Sequence, residues 1–279
     1  MTAPTGHPLF VCQVKRGAQQ GPVAPWITIA SWANAAAGEH GAATVLTTEG
    51  ALEPAAALAR ASTPKLPAPR SSTRRRLPEP AVTLVKDLRR IVENRTFTRE
   101  VLSQDRAAEA VPYVFQLHGL FWDAGLRLAR SLDRPSVLVV DACQVAEART
   151  WGVRRRGYGS LAERYGEMPQ LRAADLVVCV SDEVAEQVRR VSGRSDGVVV
   201  IPNGVDTQLF APGPPDAALR DGLGIPGDAF VIGWTGSFRG FHGLDTLLDA
   251  VARVRDQARV RKAGCRRRSE SPPRRRCDR

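Results

Sequence analysis

Four short stretches of this chain place reactive side chains directly after an apolar run. His118 follows Val111–Leu117, and Asp141 follows Pro135–Val140. Asn203-Gly204, with Asp206, follows Val198–Ile201, and Gly236-Ser237-Phe238-Arg239 follows Phe230–Trp234. In parallel α/β sheets ligands sit at the carboxyl ends of the strands, so each loop is a candidate contact. A histidine there can hydrogen-bond a bound ligand, or be satisfied by nearby backbone. Asp141 can face the same cleft or cap the helix that follows it. A glycine turn that opens a helix presents free N–H groups and the positive dipole end to a diphosphate. Gly236, Ser237 and Phe238 occupy such a turn, with Arg239 and His242 beside them. Gly236 can equally serve a positive φ. Asn203-Gly204 is a turn dipeptide on structural grounds alone. Glu147, Glu163 and Glu167 read as solvated helix faces, and Trp122 and Trp151 as packing residues.

Positioning these groups requires strands alternating with helices. Pro8–Val14 reads as a first strand, Pro25–Ala37 as an alanine-rich helix, and Ala43–Thr48 as a second strand. Pro54–Ala61 is a short helix, and Val82–Val92 carries apolar residues at helical spacing. Val111–Leu117 is a strand and Gly119–Leu132 a helix. Pro135–Val140 is a near-continuous apolar strand, as expected of a sheet covered on both faces. Leu161–Ala173 is helical and leads into the strand Leu176–Val180. Ser181 then caps a helix whose first turn carries Asp182 and Glu183. This order predicts an α/β fold, a Rossmann-like parallel sheet with helices on both faces. A helical turn at Leu219–Leu223, a strand at Phe230–Trp234 and a helix from about Leu244 follow.

Charge is uneven. The chain of 279 residues has a formal net charge of +11, but Arg253–Arg279 alone holds twelve basic and three acidic residues. The body is near neutral, so the basic isoelectric point describes the tail and nucleic acid is not an expected partner. That tail has too few apolar residues to offset its ordering entropy and reads as disordered. Its abrupt loss of periodicity suggests an extension read out of frame. The five cysteines (Cys12, Cys143, Cys179, Cys265 and Cys277) show no close pairing and no metal-ligand spacing. No apolar run reaches the roughly 18 residues of a membrane span, and no signal peptide opens the chain. The expectation is a cytoplasmic protein.

Three segments in order resemble one known family. "AD-x-V-x-x-V-S" from Ala174, "I-P-N-G-V-D-x-x-x-F" from Ile201 and "G-x-x-G-S-F-x-x-x-H-G-x-D-x-L-L-x-A" from Gly233 are similar to the domain junction of GT-B glycosyltransferases of the family 4 type. Gln116-Leu117-His118 resembles the histidine turn of their first domain. The resemblance implies two Rossmann-like domains and retaining transfer of a hexosyl group from a nucleotide-diphosphate sugar, which is a substrate; no cofactor and no metal is implied. His118 would be catalytic, and Gly236, Ser237, Phe238, Arg239 and His242 would bind the donor phosphates. Asp141 would lie on the acceptor side, and Asn203, Gly204 and Asp206 would form the interdomain turn. The partners implied are the nucleotide sugar and a polar or lipid-linked acceptor, with peripheral contact at the inner face of the membrane.

The expected organisation is a first domain over 1–206, with an exposed Pro/Arg-rich excursion at 63–81. A linker over 207–228 and the first β-α unit of a donor domain over 229–257 would follow, then the tail over 258–279. The family's Gly-Gly after the first strand is replaced by Arg16-Gly17-Ala18-Gln19-Gln20-Gly21, and its E-x7-E acidic motif is absent. The chain therefore reads as truncated and impaired in transfer, with a non-catalytic acceptor- or lipid-binding remnant as the alternative. An oxidoreductase is excluded because residues 15–21 do not supply G-x-G-x-x-G.

Overall fold

The computed structural model describes residues 6–15, 24–62, 78–104, 110–151, 155–236 and 242–254. The chain divides into two units, 1–203 and 204–279.

The first unit is built on a seven-stranded sheet. Its strands are β1 (Leu9–Cys12), β2 (Thr44–Thr47), β3 (Gly50–Leu52), β4 (Val114–Leu117), β5 (Ser136–Val140), β6 (Leu176–Cys179) and β7 (Val198–Val200), ordered β3-β2-β1-β4-β5-β6-β7. Six strands are parallel, and β3 pairs antiparallel with β2 at one edge. The order reverses at β1, so the crevice between the carboxyl ends of β1 and β4 is the topological switch point.

The helices α1 (Ala24–His40), α2 (Pro54–Ser62), α3 (Glu79–Ser103), α4 (Ala124–Ser131), α5 (Gln144–Thr150), α6 (Gly159–Ala162), α7 (Met168–Ala173) and α8 (Asp182–Ser192) connect the strands. Alternation along the strands builds a core on each side. Phe10, Cys12, Phe115 and Leu117 pack with Trp26, Ile29 and Ala33 of α1 on one face. Leu9, Val11 and Val114 pack with Phe97 and Val101 of α3 and Leu128 of α4 on the other. Leu138, Val140, Val177 and Cys179 extend that second face under α7 and α8. Each fully buried leucine or valine stabilises the unit by about 1.5–3 kcal/mol. As expected, the Ser181 hydroxyl caps α8, accepting from Val184 N at 3.3 Å, and Gly193 ends it at φ 73°.

Several boundaries move. The strand expected over 111–117 begins at Val114, and the helix expected over 119–132 begins at Ala124. The Val82–Val92 helix runs from Glu79 to Ser103, so helix already occupies the last residues of the excursion drawn to 81. Tertiary contacts at Asn94, Phe97 and Val101 extend it where local periodicity stops. The β3 hairpin escaped notice because three residues carry no alternation signal. Most of the excursion, residues 63–77, lies outside the described residues, as does the expected tail over 258–279.

In the second unit the described residues form α9 (Ala217–Gly222) and α10 (Leu244–Val254). The strand expected at Phe230–Trp234 is not formed. A strand needs a neighbour to take its N–H and C=O groups, and no other strand exists among the described residues of this unit. Phe230 is 92% exposed, and no described residue of the unit is buried.

Candidate functional site

The site is assembled at the carboxyl edge of the sheet, where β1, β4 and β5 end. His118 is the first residue after β4, and its N–H donates to Val139 O at 2.7 Å, so the strand register carries it to the edge. Its imidazole is buried, and Nε2 lies 3.0 Å from Glu167 Oε1. An ionised carboxylate only accepts, so Nε2 carries the proton in this pair. Nδ1 is then the free face of the ring. It is buried and has no hydrogen-bond partner.

Glu167 is fully buried. It ends a single π-helical turn, Glu163–Glu167, between α6 and α7. Such turns re-aim a side chain and are frequent at functional sites. Its carboxylate also accepts from Gln144 N, through Oε1, and from Val145 N at 3.4 Å, through Oε2. One carboxylate thus caps the amino terminus of α5 and orients His118. The solvated role expected of Glu167 is therefore corrected.

A glutamine network holds the histidine loop. Gln116 Nε2 donates to Trp122 O at 2.8 Å, and its Oε1 accepts from Gly125 N at 2.7 Å. Gln170 Nε2 donates to Gly119 O at 2.9 Å and to Gly166 O. Gln144 Oε1 accepts from Leu120 N at 3.1 Å. The loop is tight enough that Phe121 takes φ 66°, with its N–H on Gly166 O at 2.9 Å. A non-glycine residue in this region is strained and persists only where its surroundings hold it. Sequence reading missed Gln144 and Gln170, whose amides are recruited only by the fold.

Gln13 stands beyond β1 as His118 stands beyond β4. Val11 and Gln116 are register partners, so both residues lie two positions past one pair. Gln13 is buried, and its Oε1 has no partner. The edge therefore presents two buried acceptor-competent atoms on adjacent strands, a pattern suited to ligand hydroxyls.

Asp141 follows β5 and is exposed. Protein packed around its carboxyl raises its pKa above the ordinary value. It does not cap α5, whose N-cap is Cys143 without a side-chain bond; Glu167 has taken that position.

In the second unit Gly236 does not have a positive φ. A Cβ there would meet the rings of His242, at Nδ1 2.9 Å, and Trp234, at Cζ2 2.9 Å, so a larger residue would have to push these side chains aside. Trp234 Nε1 donates to His242 O at 3.2 Å, just ahead of α10. Ser237, Phe238 and Arg239 lie outside the described residues. Asp206 Oδ1 accepts from Gln208 N at 2.9 Å and Leu209 N at 3.1 Å, an Asx turn, while Asn203 and Gly204 are exposed.

Among the described residues no cluster of three or more His, Cys, Asp or Glu could hold a metal ion. No helix among them is long and apolar enough to cross a membrane. Cys12, Cys143 and Cys179 are free and buried.

The chain is similar in sequence to several named proteins. A D-inositol 3-phosphate glycosyltransferase of Stackebrandtia nassauensis is 31% identical over 162 residues, covering 57% of this chain and 36% of that protein. The same-named protein of Kribbella flavida is 29% identical over 162 residues, covering 57% and 38%. That of Kineococcus radiotolerans is 37% identical over 90 residues, covering 32% and 21%. The chain thus spans between 21% and 38% of the length of these relatives. Among solved structures, sucrose-phosphate synthase of Thermosynechococcus elongatus superposes with a TM-score of 0.55 at 16% identity, covering 89% of this chain and 60% of that one. This is a likeness of fold. The profile of Glycosyltransferase Family 4 matches residues 27–209, which include the histidine loop, Asp141, Glu167 and the Asn203-Gly204 turn, and the chain belongs to that family.

Proposed function

We propose that this chain serves retaining transfer of a hexosyl group from a nucleotide-diphosphate sugar to a polar acceptor. The observation that carries the reading is the buried Nδ1 of His118, left without a partner on the residue that follows β4 while Glu167 holds Nε2. An acceptor nitrogen in that position suits a sugar hydroxyl. In the step proposed, the bond from the anomeric carbon to the leaving phosphate oxygen breaks. The acceptor oxygen bonds to the same face of that carbon, and the acceptor proton passes to the departing phosphate. The nucleoside diphosphate leaves, and configuration is retained. Placing the reacting atoms and stabilising the developing charge are the protein's tasks. The reading invokes no cofactor and no metal.

In this proposal His118 contacts the reacting sugar, and Asp141 lies on the acceptor side. Gly236, Ser237, Phe238, Arg239 and His242 meet the donor diphosphate, and Asn203, Gly204 and Asp206 form the turn between the units. The similar proteins are named for D-inositol 3-phosphate, so a phosphorylated polyol is the first acceptor to try; a lipid-linked acceptor, reached by peripheral contact at the inner face of a membrane, is the other. Residues 1–279 alone are proposed to transfer poorly, since residues 230–234 form no strand to build a second sheet upon.

The test combines the full chain with D-inositol 3-phosphate and, in turn, UDP-glucose, UDP-N-acetylglucosamine and GDP-mannose. Nucleoside diphosphate release and the anomeric configuration of the product are read. Slow formation of an α-linked product, lost in His118→Ala, is expected. A β-linked product would overturn retention. Acceptor binding by calorimetry with no turnover would instead favour the non-catalytic remnant.

A further inference from the structure

The two strands that flank the topological switch point, β1 and β4, are followed directly by Gln13 and His118. Continuing the pairing of Val11 with Gln116 by two residues sets Gln13 opposite His118. Adjacent strands lie about 4.8 Å apart, and opposite residues of a parallel pair share a face. That face is the one on which Val11 and Val114 pack with α3 and α4. The chain just beyond Gln13 is held from both sides of the sheet. Trp26 Nε1 of α1 donates to Val14 O at 2.6 Å, and Lys15 Nζ pairs with Glu93 Oε1 of α3 at 3.0 Å. His118 is held through Nε2 by Glu167.

Both side chains are buried, and each leaves one atom without a hydrogen bond: Oε1 of Gln13 and Nδ1 of His118. A buried polar atom with no partner destabilises a fold, and an apolar residue of the same shape removes that cost. Methionine has the length of glutamine and no amide, so an edge with only a structural task would be better served by it. Local rules broken at a stability cost mark functional sites. The two atoms also agree in character. With Nε2 protonated, Nδ1 accepts, and Oε1 accepts as well, so a ligand that satisfies both must donate twice. Hydroxyls on neighbouring carbons of one ring supply two O–H donors from a rigid body. A carboxylate, which only accepts, does not.

We infer that Gln13 is a specificity-determining residue, which with His118 holds neighbouring hydroxyls of one polyol or hexose ring. Gln13 Oε1 accepts from one hydroxyl and His118 Nδ1 from the next, and no covalent bond changes at Gln13. The inference deepens the sugar-transfer reading and rests on it for the class of ligand. A ring without these hydroxyls leaves both acceptors unpaired, so it is rejected more strongly than lost contact area alone would cause. An acceptor polyol and a donor hexose carry the same donor pattern, and two probes separate them.

The experiment is calorimetry and thermal unfolding of the full chain, unaltered and as Gln13→Met. The probes are D-inositol 3-phosphate and UDP-glucose, with cyclohexyl phosphate as a ring and phosphate that lack free hydroxyls. Without ligand, Gln13→Met should melt at the same temperature as the unaltered chain or higher. It should nevertheless bind one hydroxylated probe about tenfold more weakly. Weakened D-inositol 3-phosphate binding assigns the pair to the acceptor, and weakened UDP-glucose binding assigns it to the donor sugar. Cyclohexyl phosphate should bind weakly and equally to both proteins. Equal binding of both hydroxylated probes by the two proteins, or of neither, would overturn the inference. So would a lower melting temperature in Gln13→Met, which would make the amide a structural tie of the loop. Transfer unchanged in Gln13→Met would remove this inference and leave sugar transfer standing. Binding that depends on Gln13 without any turnover would count against transfer alone.

Discussion

Nε2 of His118 stands 3.0 Å from Oε1 of Glu167, and the two side chains come from segments 49 residues apart. This pairing sets which ring nitrogen is left for a ligand. It predicts that the neutral ring of His118 is the Nε2–H tautomer, which long-range proton–nitrogen spectra of labelled protein would read directly. Glu167→Ala removes both carboxylate oxygens and frees the ring, so the tautomer should become mixed. The same change removes the α5 cap and should cost about 1.5–3 kcal/mol in urea unfolding. An unchanged histidine spectrum in Glu167→Ala would contradict the orienting role.

Gly119 has no room for a side chain. A Cβ would fall 1.9 Å from the Trp122 ring. Gly119→Ala should therefore push Trp122 out and spoil the loop that carries His118. A loss of about 1–3 kcal/mol is expected from overpacking, with a shift of tryptophan emission. Unchanged emission and stability would show that the loop yields freely.

The Asp87–Arg155 pair joins α3 to the segment before α6, with side chains only 4% and 7% exposed. Removing one partner leaves a buried charge. Asp87→Ala should cost about 3–5 kcal/mol, and a double change to apolar residues of similar volume should recover much of it. Equilibrium unfolding of the two variants tests the asymmetry.

Burial pushes the thiol of Cys12 up to about 12 and that of Cys179 up to about 11. Cys143 reaches about 12 through burial, with the Glu167 charge adding to it. A raised folded pKa contributes stability that is complete below the unfolded value of 9.0 and is lost as pH rises toward 11–12. The urea midpoint should thus fall between pH 9 and 11. At pH 9 these three cysteines should alkylate slowly in native protein and quickly in urea, as read by peptide mapping. Fast native alkylation at Cys12 would refute the sealed core.

Much of the fold was legible because a covered parallel strand must be apolar and short. Ser136–Val140 and Leu176–Cys179 could hardly be anything else, and Ser181 announced its helix by its own hydroxyl. The Phe230–Trp234 run looked the same and forms no strand. Apolar β-branched sequence permits a strand, but only a neighbouring strand can satisfy its backbone. The packing of the first half of α3 was equally hidden, for Val85, Leu88 and Val92 are exposed while Phe97 and Val101 further along are buried. Val85, Leu88 and Val92 mark one side of a helix, but nothing local says whether that side faces the core or the solvent.

By itself the sequence determined the alternation of strand and helix, the place of His118 and Asp141 at strand ends, and the family. These follow from periodicity and local chemistry, which act over a few residues. Tertiary structure alone decided that Glu167 turns inward to cap α5 and aim His118. It also decided that Gln13 and His118 end adjacent strands with unpartnered atoms, and that buried Asp87 holds the first half of α3 with Val85, Leu88 and Val92 outward. Each depends on groups distant in the chain, and a buried charge or amide is tolerated only where the fold brings it a partner.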